Sequence, residues 1–182
     1  LLYVMDATGS NQKRLLDFPV LDFAWAPNSR QLLFISAHEG PDRSSPEVLS
    51  GTNNPLASVY VLDLQTGGKT RLAGSGRNCS ASWSPDGTCL AVGFGEAENG
   101  GIYIMSADGQ RSDRLTDAST IDCRPKWSPD GKSIAFVAYP KTGADAKDAG
   151  VFIIGADGTN KKRVAGLEAY SVSYTHLTLP TK

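Results

Sequence analysis

The sequence predicts an all-β protein built from repeated four-stranded antiparallel sheets. The first observation is that Trp-Ser-Pro-Asp-Gly occurs twice, at Trp83 and at Trp127, with a degenerate third copy at Trp25. The second is a strand-like run that ends in a turn and a basic residue, and it recurs around the aromatic residues Tyr3, Tyr60, Tyr103 and Phe152. The third is composition, since 19 glycines and 10 prolines favour frequent turns and short strands.

Each repeat can be divided into four strands. The residues that end at the Trp form strand one, and Ser-Pro-Asp-Gly is a turn because Pro pre-sets φ, Asp bonds nearby backbone and Gly tolerates positive φ. Runs such as CLAVGF and SIAFVAY form strand two. Runs such as IYIMS form strand three, ADG turns close a hairpin, and segments such as DRLT form strand four. Four antiparallel strands in a repeat of about 43 residues make a β-propeller blade.

The predicted domain is a partial propeller over residues 1–171. It comprises a partial blade at 1–16 and three complete blades at about 20–73, 78–117 and 121–165. Because propellers close with about four to eight blades, we expect the chain to be a fragment that requires missing blades for closure. The first complete blade departs from the pattern, with Ala-Pro-Asn-Ser-Arg for the turn and an inserted loop at 37–57.

The tail at 172–182 breaks the repeat. Tyr174 stands where the next strand-one aromatic is due, but THLTLPTK follows in place of a Ser-Pro-Asp-Gly turn. That string resembles translated sequencing-adapter read-through, so we interpret 172–182 as non-native and assign His176 no role. The alternative is a divergent further blade.

The two faces of strand one have different predicted surroundings. The Trp face alternates with apolar or small residues, which predicts packing between neighbouring sheets. The polar positions of the opposite face, which include Ser80, Ser82, Arg124 and Lys126, are predicted to lie near a central channel. Cys79 and Cys123 both stand four residues before a Trp, and we predict free thiols there and no disulfide.

The combination of WSPDG, a strand, IYIMS, ADG and RLT resembles the WD40-like PD40 repeats of TolB-type β-propellers over roughly residues 1–165. Ser106 and Gly155 depart from the family's usual strand-three Asp. The resemblance implies three settings: a periplasmic or extracytoplasmic binding protein that is not an enzyme, the cap of a prolyl-oligopeptidase-type serine peptidase whose catalytic domain lies elsewhere, and the sensor portion of a bacterial protein kinase. The leading hypothesis is the non-catalytic scaffold that binds protein or peptide.

Composition and motifs argue against several other classes. A net charge of −1 predicts no nucleic-acid binding, and no apolar run reaches the length that membrane insertion needs. The sequence has no Gly-x-Ser-x-Gly and only two histidines, His38 and His176. We therefore predict no catalytic residues, no cofactor and no metal site in this chain.

The candidate binding surface consists of the loops that join strands two and three, at 37–57 and 139–150. Long loops on a rigid scaffold commonly carry binding, although a tolerated insertion is the alternative. The candidate partner-binding residues are Arg43, Glu47, Asn53 and Asn54 in the first loop and Arg124 and Lys126 near the channel.

Overall fold

The computed structural model describes residues 1–37, 57–76, 80–94, 100–141 and 148–166. Short β-strands joined by turns make up the regular secondary structure of these ranges, which confirms the predicted all-β fold. The strands are β1 (Leu2–Val4), β2 (Lys13–Leu16), β3 (Asp22–Trp25), β4 (Gln31–Ser36), β5 (Ala57–Asp63), β6 (Lys69–Gly76), β7 (Ser80–Trp83), β8 (Cys89–Phe94), β9 (Gly101–Ser106), β10 (Ser112–Arg114), β11 (Thr120–Trp127), β12 (Ser133–Pro140), β13 (Gly150–Gly155) and β14 (Lys162–Gly166).

These strands form four antiparallel sheets. β1 and β2 pair as a two-stranded sheet, which we call the partial blade. The four-stranded sheets β3–β6, β7–β10 and β11–β14 are here named blade two, blade three and blade four, and in each of them consecutive strands are neighbours. The prediction of three complete blades plus a partial blade is confirmed. The predicted tail at 172–182 lies outside the described residues.

The middle strands of a blade are buried on both faces, which explains why their sequences are continuously apolar. On β4, Leu33 and Ile35 pack with Val92 of blade three, whereas Leu32 and Phe34 pack toward the partial blade. These four side chains are at most 3% exposed. Because neither face meets solvent, the alternation that marks a half-buried strand is absent from LLFI.

A further core lies between blade three and blade four. Ala91 and Ile102 of blade three contact Ile134, Phe136 and Ile154 of blade four, and all five side chains are at most 2% exposed. The blades are therefore stacked face to face, and each complete blade is stabilised mainly by apolar surface that it shares with its neighbours.

The three motif tryptophans differ in burial although they share a face. Trp83 is 8% exposed and packs with blade two, as predicted. Trp25 is 51% exposed, because its face is directed toward the partial blade, whose two strands do not cover β3. Trp127, which follows the complete blade three, is partly buried, so Trp25, which follows the partial blade, is the most exposed of the three.

Two serines at the polar positions predicted to lie near a central channel are not fully exposed. Ser82 is buried, at 7% exposure. The Oγ of Ser80 accepts a hydrogen bond of 2.8 Å from the backbone N–H of Arg124, so Ser80 joins blade three to blade four. Small hydroxyl side chains fit this interface because the inner strands approach one another closely.

Cys123 is not the structural counterpart of position 79, although residues 79 and 123 both stand four residues before a Trp. Cys123 pairs with Val137, and in blade three the corresponding pair is Ser80 with Gly93. An extra residue in β11 shifts the count by one, so Cys123 is the counterpart of Ser80. Cys79 lies outside the described residues, and Cys123 is a buried free thiol whose pKa is raised by burial, against the opposing charge of Arg124.

Candidate functional site

The structure describes two of the six candidate binding residues. Arg124 and Lys126 lie on the inner strand β11 of blade four, and both are exposed. The other four lie outside the described residues, in the interval 38–56: Arg43, Glu47, Asn53 and Asn54.

A β-bulge brings Arg124 to the surface. On β11 the pairing passes from Cys123 opposite Val137 to Lys126 opposite Ala135, so three steps on β11 match two on β12. Arg124 has a φ of 55°, in the left-handed region. For a residue with a Cβ this conformation costs about 1–2 kcal/mol, and it persists because neighbouring groups hold it.

Blade three supplies the groups that hold the bulge. The backbone N–H of Arg124 donates to the Oγ of Ser80, as described above. Pro125 is fully buried, and its Cδ lies 3.0 Å from the position that a Cβ on Gly93 would occupy. Proline suits a bulge because it has no N–H to contribute to the ladder. Sequence reasoning did not identify Ser80 and Gly93 as supports, because their role depends on a contact between blades.

The bulge separates buried from exposed side chains along β11. Asp122 and Cys123 precede it and are buried, whereas Arg124 and Lys126 are exposed, with buried Pro125 between them. The result is a pair of cationic side chains on the inner edge of blade four. We call Arg124 and Lys126 the cationic lip.

Asp122 is a second unusual feature of β11. Its carboxylate is fully buried, and its Oδ1 accepts a 2.6 Å hydrogen bond from the Oγ1 of Thr120. Its Oδ2 is buried without a hydrogen-bond partner. Asp122 pairs with Ala138, which belongs to the core between blades three and four, so the carboxylate faces that interface.

The Ser-Pro-Asp-Gly turns have the predicted hydrogen bonding. The Oγ of Ser84 donates to Asp86 at 2.6 Å, and the Oγ of Ser128 donates to Asp130 at 2.6 Å. These hydroxyl donors, followed by the backbone N–H groups of residues 88 and 132, lower the pKa of both aspartates below the ordinary value of 3.8. The carboxylates are therefore used to hold the turns.

The turns also contact one another across blades. A Cβ on Gly87 would lie 3.7 Å from Pro27, and one on Gly131 would lie 3.8 Å from Pro85. Blade two departs from the motif but keeps its geometry: the Oδ1 of Asn28 accepts the N–H of Arg30 at 2.9 Å, and Ser29 has a φ of 56°. Asn and Ser thus replace Asp and Gly.

The described residues form neither a metal site nor a membrane-spanning helix. Within the ranges given above, no group of three or more His, Cys, Asp or Glu side chains could hold a metal ion. The same part of the chain contains no helix long and apolar enough to cross a membrane. Both histidines, His38 and His176, lie outside it.

A family model decides the relationship that the repeats suggest. Residues 49–177, more than half of the chain, match the model of the TolB beta propeller domain, PD40. The chain belongs to the TolB β-propeller family. This TolB-family chain is 32% identical over 138 residues to a TolB homologue of Chlorobium chlorochromatii, a match that covers 76% of the chain and 31% of the relative.

The chain is also similar to a peptidase and to a solved structure. The chain is 31% identical over 117 residues to the uncharacterised peptidase YuxL of Bacillus subtilis, which covers 63% of the chain and 16% of that protein. A candidate TolB protein of Agrobacterium tumefaciens has a similar fold, with a TM-score of 0.71 and 24% identity over 90% of this chain and 57% of that one. This TolB-family chain spans less than half the length of the curated relatives it matches.

Proposed function

We propose that the protein is a non-catalytic scaffold that binds a protein or peptide partner through acidic groups of that partner. The observation that carries the proposal is the bulge of β11, which holds Arg124 in a left-handed conformation and exposes it beside Lys126. A strained backbone that exposes a charged side chain is typical of a functional position.

The chemistry of the cationic lip favours carboxylates. A guanidinium offers planar, paired donors that match the two oxygens of a carboxylate, and an ammonium adds a point charge. A single exposed ion pair contributes only about 0–1 kcal/mol, so the lip would require further contacts. We propose that Arg43, Glu47, Asn53 and Asn54 supply some of them, and that the protein acts outside the cytoplasm, as membership of the family supports.

The test uses a glutamate-rich peptide of about ten residues and the intact full-length protein. Fluorescence anisotropy is expected to show weaker binding for Arg124→Ala/Lys126→Ala, and binding of the parent protein should weaken with added salt because exposed charges are screened. Lys13→Ala/Lys162→Ala is the matched control, since it removes two exposed positive charges from outer strands. Equal affinity of the two double variants would refute the proposal.

A second candidate function is the cap of a serine peptidase, which the match to YuxL supports. Labelling of the full-length protein with a fluorophosphonate probe distinguishes the two. A covalent adduct on a serine would favour the peptidase cap, and absence of labelling beside a labelled control peptidase would favour the scaffold. The kinase-sensor hypothesis has no supporting observation in the structure or the comparisons and stays a prediction from sequence.

A further inference from the structure

The outer strand of each complete blade carries an arginine at the same register position. Arg71 on β6 pairs with Tyr60, and Arg114 on β10 pairs with Tyr103. Arg163 on β14 occupies the corresponding place opposite Phe152. The recurring basic residue of the RLT-like segments is therefore fixed relative to the aromatic residue of strand three.

In blades three and four this arginine binds the backbone just before strand three. The Nη2 of Arg114 donates to the carbonyl of Gly100, and its Nε donates to the carbonyl of Thr116 at 2.7 Å. The Nη2 of Arg163 donates to the carbonyl of Ala149 at 2.7 Å. Gly100 and Ala149 are the residues at which the loops from strand two re-enter their blades.

Glycine makes room for the guanidinium in both blades. A Cβ on Gly101 would lie 3.1 Å from the Nη2 of Arg114. A Cβ on Gly150 would lie 2.7 Å from the Nε of Arg163, closer than real Cβ contacts allow. A side chain at either position would displace the guanidinium from the carbonyl that it binds.

Blade two provides an internal comparison. Ser58 stands where the other blades have Gly101 and Gly150, since all three precede the paired aromatic by two residues. The Nη2 of Arg71 donates to the Oγ of Ser58 at 3.1 Å, so it contacts a side chain in place of the backbone. The outer-strand arginine thus contacts the backbone where this position is glycine and a hydroxyl group where it is serine.

We propose that Arg114 and Arg163 are positioning residues that latch the returning ends of the strand-two-to-three loops onto blades three and four. The latch consists of an outer-strand arginine, a glycine two residues before the strand-three aromatic, and the carbonyl that precedes that glycine. Its importance for binding rests on the proposed function, because the loop that Arg163 holds, at 139–150, belongs to the candidate binding surface. The latch fixes the position and direction of the loop end, and blade two lacks this backbone contact among its described residues.

Amide hydrogen exchange of the intact full-length protein tests the latch. Lysine cannot reproduce the planar, multiple donors of arginine, so Arg114→Lys and Arg163→Lys are expected to speed exchange about tenfold at 100–104 and 149–153 respectively. Arg71→Lys is the matched control and should change exchange at the start of β5 by less than about twofold. The thermal midpoint should stay close to the parent value, which separates local loosening from general destabilisation.

A second pair of variants keeps the test decisive if a lysine variant fails to fold. In a Ser58→Gly background the guanidinium of Arg71 is expected to bind the Ala57 carbonyl, so Arg71→Lys should then speed exchange at the start of β5 about tenfold. Unchanged exchange in all lysine variants, or the same increase in the control, would overturn the latch. Binding of the glutamate-rich peptide is measured on the same variants. The cationic lip lies on β11 and is separate from the latch. Failure of the proposed function, seen in peptide binding, can therefore be distinguished from failure of the latch, seen in hydrogen exchange.

Discussion

The inner strands β7 and β11 occupy equivalent places in adjacent blades and lead into identical turns, yet they have different surfaces. β7 is regular, and its Ser82 and Trp83 are buried. β11 contains the bulge, and there Arg124 and Lys126 are exposed. The comparison shows that the shared motif determines strand and turn, whereas residues outside the motif, in both blades, determine which side chains reach the surface.

The largest effect expected concerns the motif Trp of β7. Trp83→Ala should lower the free energy of unfolding by about 3–5 kcal/mol, because it removes a side chain packed between blades two and three. Trp25→Ala is the control, since Trp25 is 51% exposed, and it should cost about 1 kcal/mol or less. Urea denaturation of the 182-residue chain measures both, and similar costs would show that the motif Trp has the same role irrespective of burial.

The next effect concerns Gly93, which leaves room for the β11 bulge at Pro125. A Cβ at residue 93 would lie 3.0 Å from the Cδ of Pro125 and 3.2 Å from the Cα of Cys123, so Gly93→Ala should destabilise the fold by about 1–2 kcal/mol. Chemical denaturation of Gly93→Ala, Pro125→Ala and the double variant forms a cycle. If the contact between Gly93 and Pro125 causes the loss, the changes in the free energy of unfolding are non-additive in this double-mutant cycle. Strict additivity would exclude that contact as the cause.

A smaller effect of opposite sign is expected at the bulge itself. Arg124→Gly relieves the left-handed strain, offset in part by the greater flexibility of glycine in the unfolded chain, so stability should rise by about 0.5 kcal/mol. The same variant should bind the glutamate-rich peptide more weakly than the parent protein. Lower stability would contradict the strain assigned to Arg124. Unchanged peptide binding would contradict its role in the cationic lip.

The smallest effect concerns what β7 and β11 have in common, their turns. The pKa of Asp130 is below 3.8 in the folded state, so its contribution to stability is present above pH 3.8 and is lost as the pH falls through the lower folded value. Ser128→Ala removes the largest cause of that shift and should move the pKa of Asp130 upward. An NMR titration of the carboxyl group measures it, and an unchanged pKa would contradict the assigned hydrogen bond.

Most of the fold follows from local sequence. Trp-Ser-Pro-Asp-Gly indicates a strand and a turn because Pro, Asp and Gly each act within a few residues, and the turn at Asn28 forms by the same means. The approximate repeat length then indicates four strands per blade.

The candidate site was only partly predictable. The sequence identified Arg124 and Lys126 as residues of the inner strand but did not reveal the bulge. The bulge depends on Gly93 and Ser80, which lie in another blade, and no local pattern around Pro125 reports them. The arginine latch was present in the sequence as the spacing between Gly101 or Gly150 and the basic residue of strand four. The contact itself could be recognised only from the position of each guanidinium relative to the carbonyl that it binds.

The stacking of the turns has a consequence for how such a protein can grow. The proline of one turn lies beside the glycine of the turn in the following blade, as Pro27 does with Gly87 and Pro85 does with Gly131. A duplicated segment running from one turn to the next would bring both halves of this contact with it. Duplication of such a segment can therefore add a blade together with the contact that joins it to its neighbour.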